Sequence, residues 1–331
     1  MYKKGTLLLK RSDIEKLMTP KDYIKGMEEA FSMIAEGKAF GTGMLHADAG
    51  DTEFHIKSGG LHLSRAYFAI KANGSCYTNV KRFGLPNMMG TILLFDADNA
   101  FPLAILDSID ITRNRTGATT AVAAKFLANP GSKTITICGC GNQGRIQLKM
   151  LKEQFPLETV YAYSRSDQSA RSFAEEMSRD LSLLVKPVSD LKKAALDSDI
   201  IVTCTPARKP YLKKEFTKPG MFIAAVGADS PDKQEIEETL LAGNKVVVDL
   251  PEQCAKVGEL HHALQGGLIK IDDIYGTLGA IAAGKLPGRT SDQEIFVFDA
   301  TGTAIQDVAG AALCYEKAVK KGVGIYFNLN S

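Results

Sequence analysis

The chain has 331 residues, 45% hydrophobic and 24% charged, a composition that suits a globular protein large enough for two domains. Its 40 basic and 38 acidic side chains leave a formal net charge of +2 with no Lys/Arg-rich stripe, which argues against a nucleic-acid binder that works through a positive field. No apolar run approaches the roughly 20 residues needed to span a bilayer, and Met1 to Gly5 opens no signal-peptide core, so a cytoplasmic protein without membrane attachment is expected.

The six cysteines are scattered, and Cys138 and Cys140 stand two apart, a spacing of neither a zinc knuckle nor a Cys-x-x-Cys pair. The five histidines form no ligand pattern. No metal site is expected, and the cysteines read as small hydrophobes in a reducing compartment.

In chain order, Ser12 to Gly37 reads as two helices. The second starts at Thr19-Pro20 and carries Ile24, Met27, Ala30, Phe31 and Ile34 at helical spacing. From Gly41 to Leu106 short apolar or alternating runs, such as Tyr67 to Lys71, Gly90 to Phe95 and Pro102 to Leu106, predict a mostly antiparallel sheet. Asp96 to Asn99 forms a hairpin turn within it. Loops over Gly41–Gly60, Asn73–Gly84 and Gly276–Gly284 are expected to shape a pocket. Arg115 to Leu127 is alanine-rich and helical, and Asn129-Pro130-Gly131 marks a boundary.

Strands then alternate with helices: Thr134–Cys138, Thr159–Tyr163, Ile200–Thr203, Phe222–Val226, Lys245–Val248 and Ile295–Phe298. That rhythm predicts a parallel sheet covered on both faces. A helix from Ala304 to Lys320 leaves this region and returns to the first domain. The fold class is therefore α/β: a Rossmann-type doubly wound domain over 129–303, plus an α+β domain over 1–128 completed by 304–331.

The strongest local signal is Gly139-Cys140-Gly141-Asn142-Gln143-Gly144, between a strand and a helix. Glycines let the chain turn sharply and bring backbone N–H groups onto a pyrophosphate at the helix N-terminus. The alternative is a tight turn that binds nothing. Where an acid would grip a ribose diol, the chain reads Tyr163-Ser164-Arg165-Ser166, and Asp167 comes too late. Ser164 and Arg165 suit a 2′-phosphate better, favouring NADP(H) over NAD(H), unless Arg165 simply faces solvent.

Two further strand ends, at Thr203 to Thr205 and at Val226-Gly227-Ala228-Asp229, should also face the dinucleotide. Asp229 is a candidate acid/base or amine partner, with an ordinary turn or cap before a helix at Glu235 as the other reading. In the first domain Lys71 ends a strand and Arg115 opens a helix, and both, with Lys57, are candidates for a substrate carboxylate. Each of these cations has surface solvation as its plain alternative.

Four stretches together resemble the ornithine cyclodeaminase/mu-crystallin family: Asn114-Arg115-Thr116-Gly117 running to Ala128; Cys138 to Gln143; Gly227 to Glu235; and Phe298-Asp299-Ala300-Thr301-Gly302-Thr303-Ala304-Ile305-Gln306-Asp307. The last two are most similar to the archaeal alanine dehydrogenase branch. The resemblance implies a homodimer built through the first domain, and NAD(P) near a domain cleft. It also implies substrate handling by the residues at Lys71 and Arg115, and Asp229 beside the reacting amine. Thr301 and Gly302 would lie by the nicotinamide, and Thr116 counts with the coenzyme residues.

The chain departs from the family at Thr42-Gly43-Met44, where members usually carry a Pro-Pro-Arg or Pro-Pro-Lys cation, and at Lys57-Ser58-Gly59, where a Met-Pro-Ala run is common. Lys57 is the expected substitute for the lost charge, and a second substrate carboxylate would suit it. The expected activity is NAD(P)-dependent imine reduction or amino-acid oxidation on an alanine-like, cyclic-imino-acid-like or iminosuccinate-like substrate. The alternatives are a cyclodeaminase that recycles its NAD internally and a non-catalytic NADP(H) binder.

Overall fold

The computed structural model describes residues 5–329. The first four residues of the amino-terminal segment read above for a leader, and residues 330–331, lie outside them. In chain order the elements begin β1 (Thr6–Leu9), α1 (Arg11–Leu17), α2 (Pro20–Ala35), β2 (Ala39–Ala49), β3 (Thr52–His62), β4 (Ala66–Ser75), α3 (Asn79–Phe83), β5 (Met88–Asp96), β6 (Pro102–Asp107) and α4 (Ser108–Leu127). They continue with β7 (Thr134–Cys138), α5 (Asn142–Lys152), β8 (Thr159–Tyr163), α6 (Asp167–Leu181), β9 (Leu184–Val188), α7 (Leu191–Asp197), β10 (Ile200–Thr203), β11 (Arg208–Leu212), β12 (Phe222–Ala225), β13 (Gln234–Ile236) and α8 (Glu238–Leu241). The last are β14 (Lys245–Val248), α9 (Pro251–Val257), α10 (Glu259–Gln265), β15 (Gly276–Thr277), α11 (Leu278–Ala282), β16 (Phe296–Asp299), α12 (Ala304–Lys321) and β17 (Ile325–Phe327). They divide into two compact units, Met1–Arg115 with Thr303–Ser331, and Thr116–Gly302.

The first unit is built on a seven-stranded sheet in the order β17-β1-β6-β5-β4-β3-β2. All its pairings are antiparallel except β1 with β6. β4 alternates cleanly: Tyr67, Ala69, Lys71, Asn73 and Ser75 are buried and the residues between them less so. Its buried face thus turns from apolar to polar halfway along. α12 packs on β3, β4 and α2, and the fit is close at Gly59, where a Cβ would lie 3.0 Å from Ile305 Cδ1. α2 is opened by a reciprocal cap, Thr19 with Asp22, and by Pro20 at its first turn.

The second unit carries an eight-stranded, wholly parallel sheet in the order β15-β14-β16-β12-β10-β7-β8-β9. β10, β12 and β16 are buried at every residue, as a sheet covered on both faces requires. The chain runs outward from β7 through β8 to β9 and then crosses back to β10 on the other side of β7. The strand order therefore reverses between β7 and β10, the place where such sheets leave a crevice at their carboxyl ends.

Several expectations are corrected in detail. Arg115 does not open a helix: Asp107 accepts the amides of Ile109 and Asp110 and starts α4 at Ser108, putting Arg115 about two turns in. Lys71 does not end its strand but sits inside β4, which runs on to Ser75. Most of Gly41–Gly60 is not loop but the long hairpin of β2 and β3. The Asn73–Gly84 stretch is divided between β4 and α3, and Gly276–Gly284 is mostly β15 and α11. Glu235 lies on β13, a short strand paired with β11, and not on a helix. The division between units falls within α4, ahead of Asn129-Pro130-Gly131. Among the described residues no helix is long and apolar enough to cross a membrane.

Candidate active site

In the first unit the polar half of the β4 face meets the first turn of α12. Lys71 Nζ lies 2.6 Å from Asp307 Oδ2, and Arg115 Nε donates to Asp307 Oδ1 at 3.0 Å. Arg115 Nη1 also donates to Gln306 Oε1 at 2.5 Å. All four side chains are buried. Lys57 stands opposite Lys71 in the β3–β4 register, and so on the same face of the sheet. Met44, from the run that replaces the usual cation, stands opposite Lys57 in turn.

Because Lys71, Arg115 and Asp307 are buried, their charges act on one another strongly. Burial lowers the Lys71 ammonium to about 7; Arg115 and Lys57 push the same way, and Asp307 opposes them. Burial alone would raise Asp307, but Arg115 and Lys71 outweigh it and hold the carboxyl below its usual range. The cluster is therefore an ionised carboxylate and a fixed guanidinium around a lysine able to gain or lose a proton near neutrality.

In the second unit the glycine loop has the shape that a pyrophosphate needs. Gly139 adopts φ 116°, and a Cβ there would fall 2.8 Å from the Cys204 carbonyl oxygen. At Gly144 a Cβ would fall 2.1 Å from the Gly139 oxygen, so α5 packs down on the loop. Gly141, at the open mouth, has no atom within 4 Å of its Cβ position. It is the N-cap of α5 and offers no side-chain cap, so the first amides of the helix, at Asn142, Gln143 and Gly144, depend on an outside acceptor. The loop residues fit a dinucleotide phosphate. Thr116 lies next to Gly117, whose missing side chain lets α4 approach α5: a Cβ there would meet Ile146 Cγ2 at 2.7 Å.

The other strand-end loops are tied by buried carboxylates that the sequence reading missed. Glu235 Oε1 accepts the Thr205 amide at 2.7 Å, the Thr205 hydroxyl at 2.6 Å and the Tyr211 hydroxyl at 2.7 Å. Its Oε2 accepts the Gly227 amide at 3.0 Å. One side chain thus pins the loops after β10 and β12, which hold Thr205, Val226 and Gly227, with Thr203 at the end of β10. Glu259 accepts the amides of Glu235 and Ile236 in turn. Asp249 accepts the Gly302 amide at 2.8 Å and the Thr301 hydroxyl at 3.1 Å, and Gln253 donates to both residues. Burial raises the carboxyls of Glu235 and Glu259. It also pushes Asp299, whose carboxyl takes the Leu260 amide, up to about 7.

Asp229 is half exposed and pairs with Lys233 at 2.5 Å. It belongs to the second unit, whereas Lys57, Lys71 and Arg115 belong to the first. Ser164 is partly buried, Arg165 is exposed, and Ser166 caps α6. Asp167 is engaged by Arg171 at 2.9 Å. Asp307 and Gln306 lie within a motif already noted, but nothing local marks them as partners of Arg115, 192 and 191 residues away. No group of three or more His, Cys, Asp or Glu side chains that could hold a metal occurs among the described residues.

A doubly wound sheet with a phosphate-shaped glycine loop, together with a buried lysine–arginine–aspartate cluster, marks the chain as a nicotinamide-dependent oxidoreductase. It belongs to the ornithine cyclodeaminase/mu-crystallin family, whose model matches residues 4–322. An archaeal alanine dehydrogenase dimer with bound NAD is 35% identical and superposes with a TM-score of 0.92, covering 98% of this chain and 99% of that one. The Thermococcus litoralis Δ(1)-pyrroline-2-carboxylate reductase, in complex with NADH and L-proline, is 34% identical with a TM-score of 0.91, over 97% and 100%. The iminosuccinate reductase of Paracoccus denitrificans, in complex with NAD+, is 31% identical with a TM-score of 0.90, over 98% and 100%.

Asp307→Asn keeps the shape of the cluster but leaves two buried cations without their anion. The variant should lose about 3 kcal/mol of unfolding free energy in urea denaturation. A loss below about 0.5 kcal/mol, as for an ordinary surface change, would contradict the charge balance described.

Proposed function

We propose that the protein reduces the imine of a small 2-oxo acid to the amino acid, or runs the reverse oxidation, with NADPH preferred over NADH. The observation that carries this is the buried Lys71–Asp307–Arg115 cluster. Such a site suits a carboxylate-bearing substrate that must exchange one proton.

When bound, the reduced nicotinamide supplies the hydride. Arg115 holds the substrate carboxylate, and Lys57 adds positive charge on the same sheet face, which also suits a second carboxylate such as that of iminosuccinate. Lys71 gives a proton to the imine nitrogen and takes it back in oxidation. Asp307 stays ionised and keeps Arg115 and Lys71 in place. Asp229 steadies the positive charge on the nitrogen. Gly139, Gly141, Asn142, Gln143 and Gly144 hold the pyrophosphate. Thr116, Thr203, Thr205, Val226, Gly227, Thr301 and Gly302 complete the coenzyme site.

The first test is oxidation of NADPH and NADH at 340 nm against pyrroline-2-carboxylate, piperideine-2-carboxylate, and pyruvate, glyoxylate and oxaloacetate with ammonia or methylamine. Turnover of at least one is expected, with kcat/KM about 100-fold lower in Arg115→Ala. Silence across the panel, or an unaffected Arg115→Ala, overturns the reading.

Reduction consumes the protonated lysine, so its kcat/KM should fall as pH rises through about 7, while oxidation should rise through the same range. Lys71→Met should abolish both limbs and cost at least about 100-fold. A limb that persists in the variant assigns the proton elsewhere.

The NADPH preference is supported by Ser164 and Arg165 at the end of β8, and by the engagement of Asp167 with Arg171 on α6. Arg165→Ala should raise KM for NADPH about 10-fold and leave that for NADH within twofold. Equal effects on both coenzymes would contradict it.

We also propose a homodimer assembled through the first unit. β2 is an eleven-residue edge strand, exposed over most of its length, with Met44 at 54% and Leu45 at 57% exposure. A long edge of this kind needs cover. Light scattering should give twice the 35.7 kDa chain mass, and Leu45→Lys should give the chain mass itself. A monomeric wild type contradicts the assembly. Six free thiols fit a reducing, cytoplasmic setting.

A further inference from the structure

The cluster around Arg115 contains a donor with nothing to donate to among the described residues. Gln306 is buried in the first turn of α12, and its Oε1 is taken by Arg115 Nη1 at 2.5 Å. A guanidinium only donates, so the amide oxygen must face it, and the orientation of the whole amide is fixed. That leaves Nε2, a double donor, buried and without a hydrogen-bond partner among the described residues. Buried polar groups are nearly always satisfied, so an orphan beside a cationic cluster points to an acceptor bound there.

A second orphan lies one turn earlier. Thr303, the N-cap of α12, is buried, and its hydroxyl neither caps its own helix nor finds another partner among the described residues. By contrast, the hydroxyls of Thr19, Ser166 and Thr277 accept an amide of the helix they open. The first turn of an 18-residue helix thus offers a free hydroxyl and a free amide donor at positions i and i+3, on one face, with the positive end of the helix dipole behind them.

The chemistry of the missing partner follows from its neighbours. Arg115 and Lys71 are cations and Lys57 faces the same cluster, while the one carboxylate, Asp307, is already occupied by Arg115 and Lys71. The absent group must accept hydrogen bonds and is favoured by negative charge. We propose that Gln306 Nε2, with the Thr303 hydroxyl, binds an oxygen of the substrate carboxylate beside Arg115, making Gln306 a substrate-binding residue. This rests on the functional reading above. It also gives a reason for glutamine in place of glutamate: glutamate would serve Arg115 as well, but only the amide offers a donor too.

Gln306→Glu is the informative variant, because it keeps the acceptor for Arg115 and replaces only the donor. A merely structural role predicts that it is tolerated. Substrate binding predicts a KM for the imino acid raised about 10- to 100-fold, with the KM for coenzyme within twofold and thermal stability retained. A substrate KM within twofold of wild type overturns the proposal. Should Gln306→Glu fail to fold, Gln306→Met, which removes the donor without adding charge, must still raise substrate KM about 10-fold.

If the wild type turns over none of the imines, the functional reading fails and carboxylate binding is read by thermal shift with pyruvate and with oxaloacetate. A shift in wild type that is lost in Gln306→Glu upholds the proposal. An equal shift in both, or none in the wild type, overturns it.

Discussion

The chemistry of the first unit depends on a single buried carboxylate. Asp307 holds Arg115 through one oxygen and Lys71 through the other, although these residues come from a helix and a strand far apart in sequence. Without it, two cations would be stranded in the protein interior at a cost of several kcal/mol. With it they are fixed, desolvated and still not neutralised, since Lys57 adds to their excess. A buried site with surplus positive charge is poised for an anion, and its lysine is left near neutrality.

The second unit uses buried carboxylates differently. Glu235, Glu259, Asp249 and Asp299 are all buried, and among them they accept backbone amides from Thr205, Gly227, Glu235, Ile236, Gly302 and Leu260. A carboxyl group has two oxygens that accept several donors at once, so one side chain can fix the spacing of two loops. The strands bring the loop roots into place, and the acids set where the loops go.

The sequence made the architecture readable where periodicity and glycine chemistry are local. The parallel strands from Thr134 onward, the Gly139–Gly144 loop and the departing helix at Ala304 all follow from patterns within a few residues. The β2–β3 hairpin was hidden because its glycines, at 41, 43, 59 and 60, read as loop. Two of them serve packing instead: a Cβ on Gly60 would strike Phe40, and one on Gly59 would crowd Ile305. Arg115 was placed at a helix start because nothing before it has helical periodicity as clear as the alanine run after it. The true start is set by the Asp107 cap. Asp307, Gln306 and Glu235 lie in recognisable stretches, but nothing local marked their roles, because those depend on partners brought together only by the tertiary fold.

The direct measurement of the central claim is the titration of Lys71 itself, by heteronuclear NMR of its side-chain nitrogen in the folded protein, assigned with Lys71→Arg. The expected midpoint is near 7, from burial beside Arg115 and Lys57 against the pull of Asp307. A midpoint near 10.5, the value of a lysine in water, would show that the cluster is hydrated and leave the proposed proton transfer without its donor.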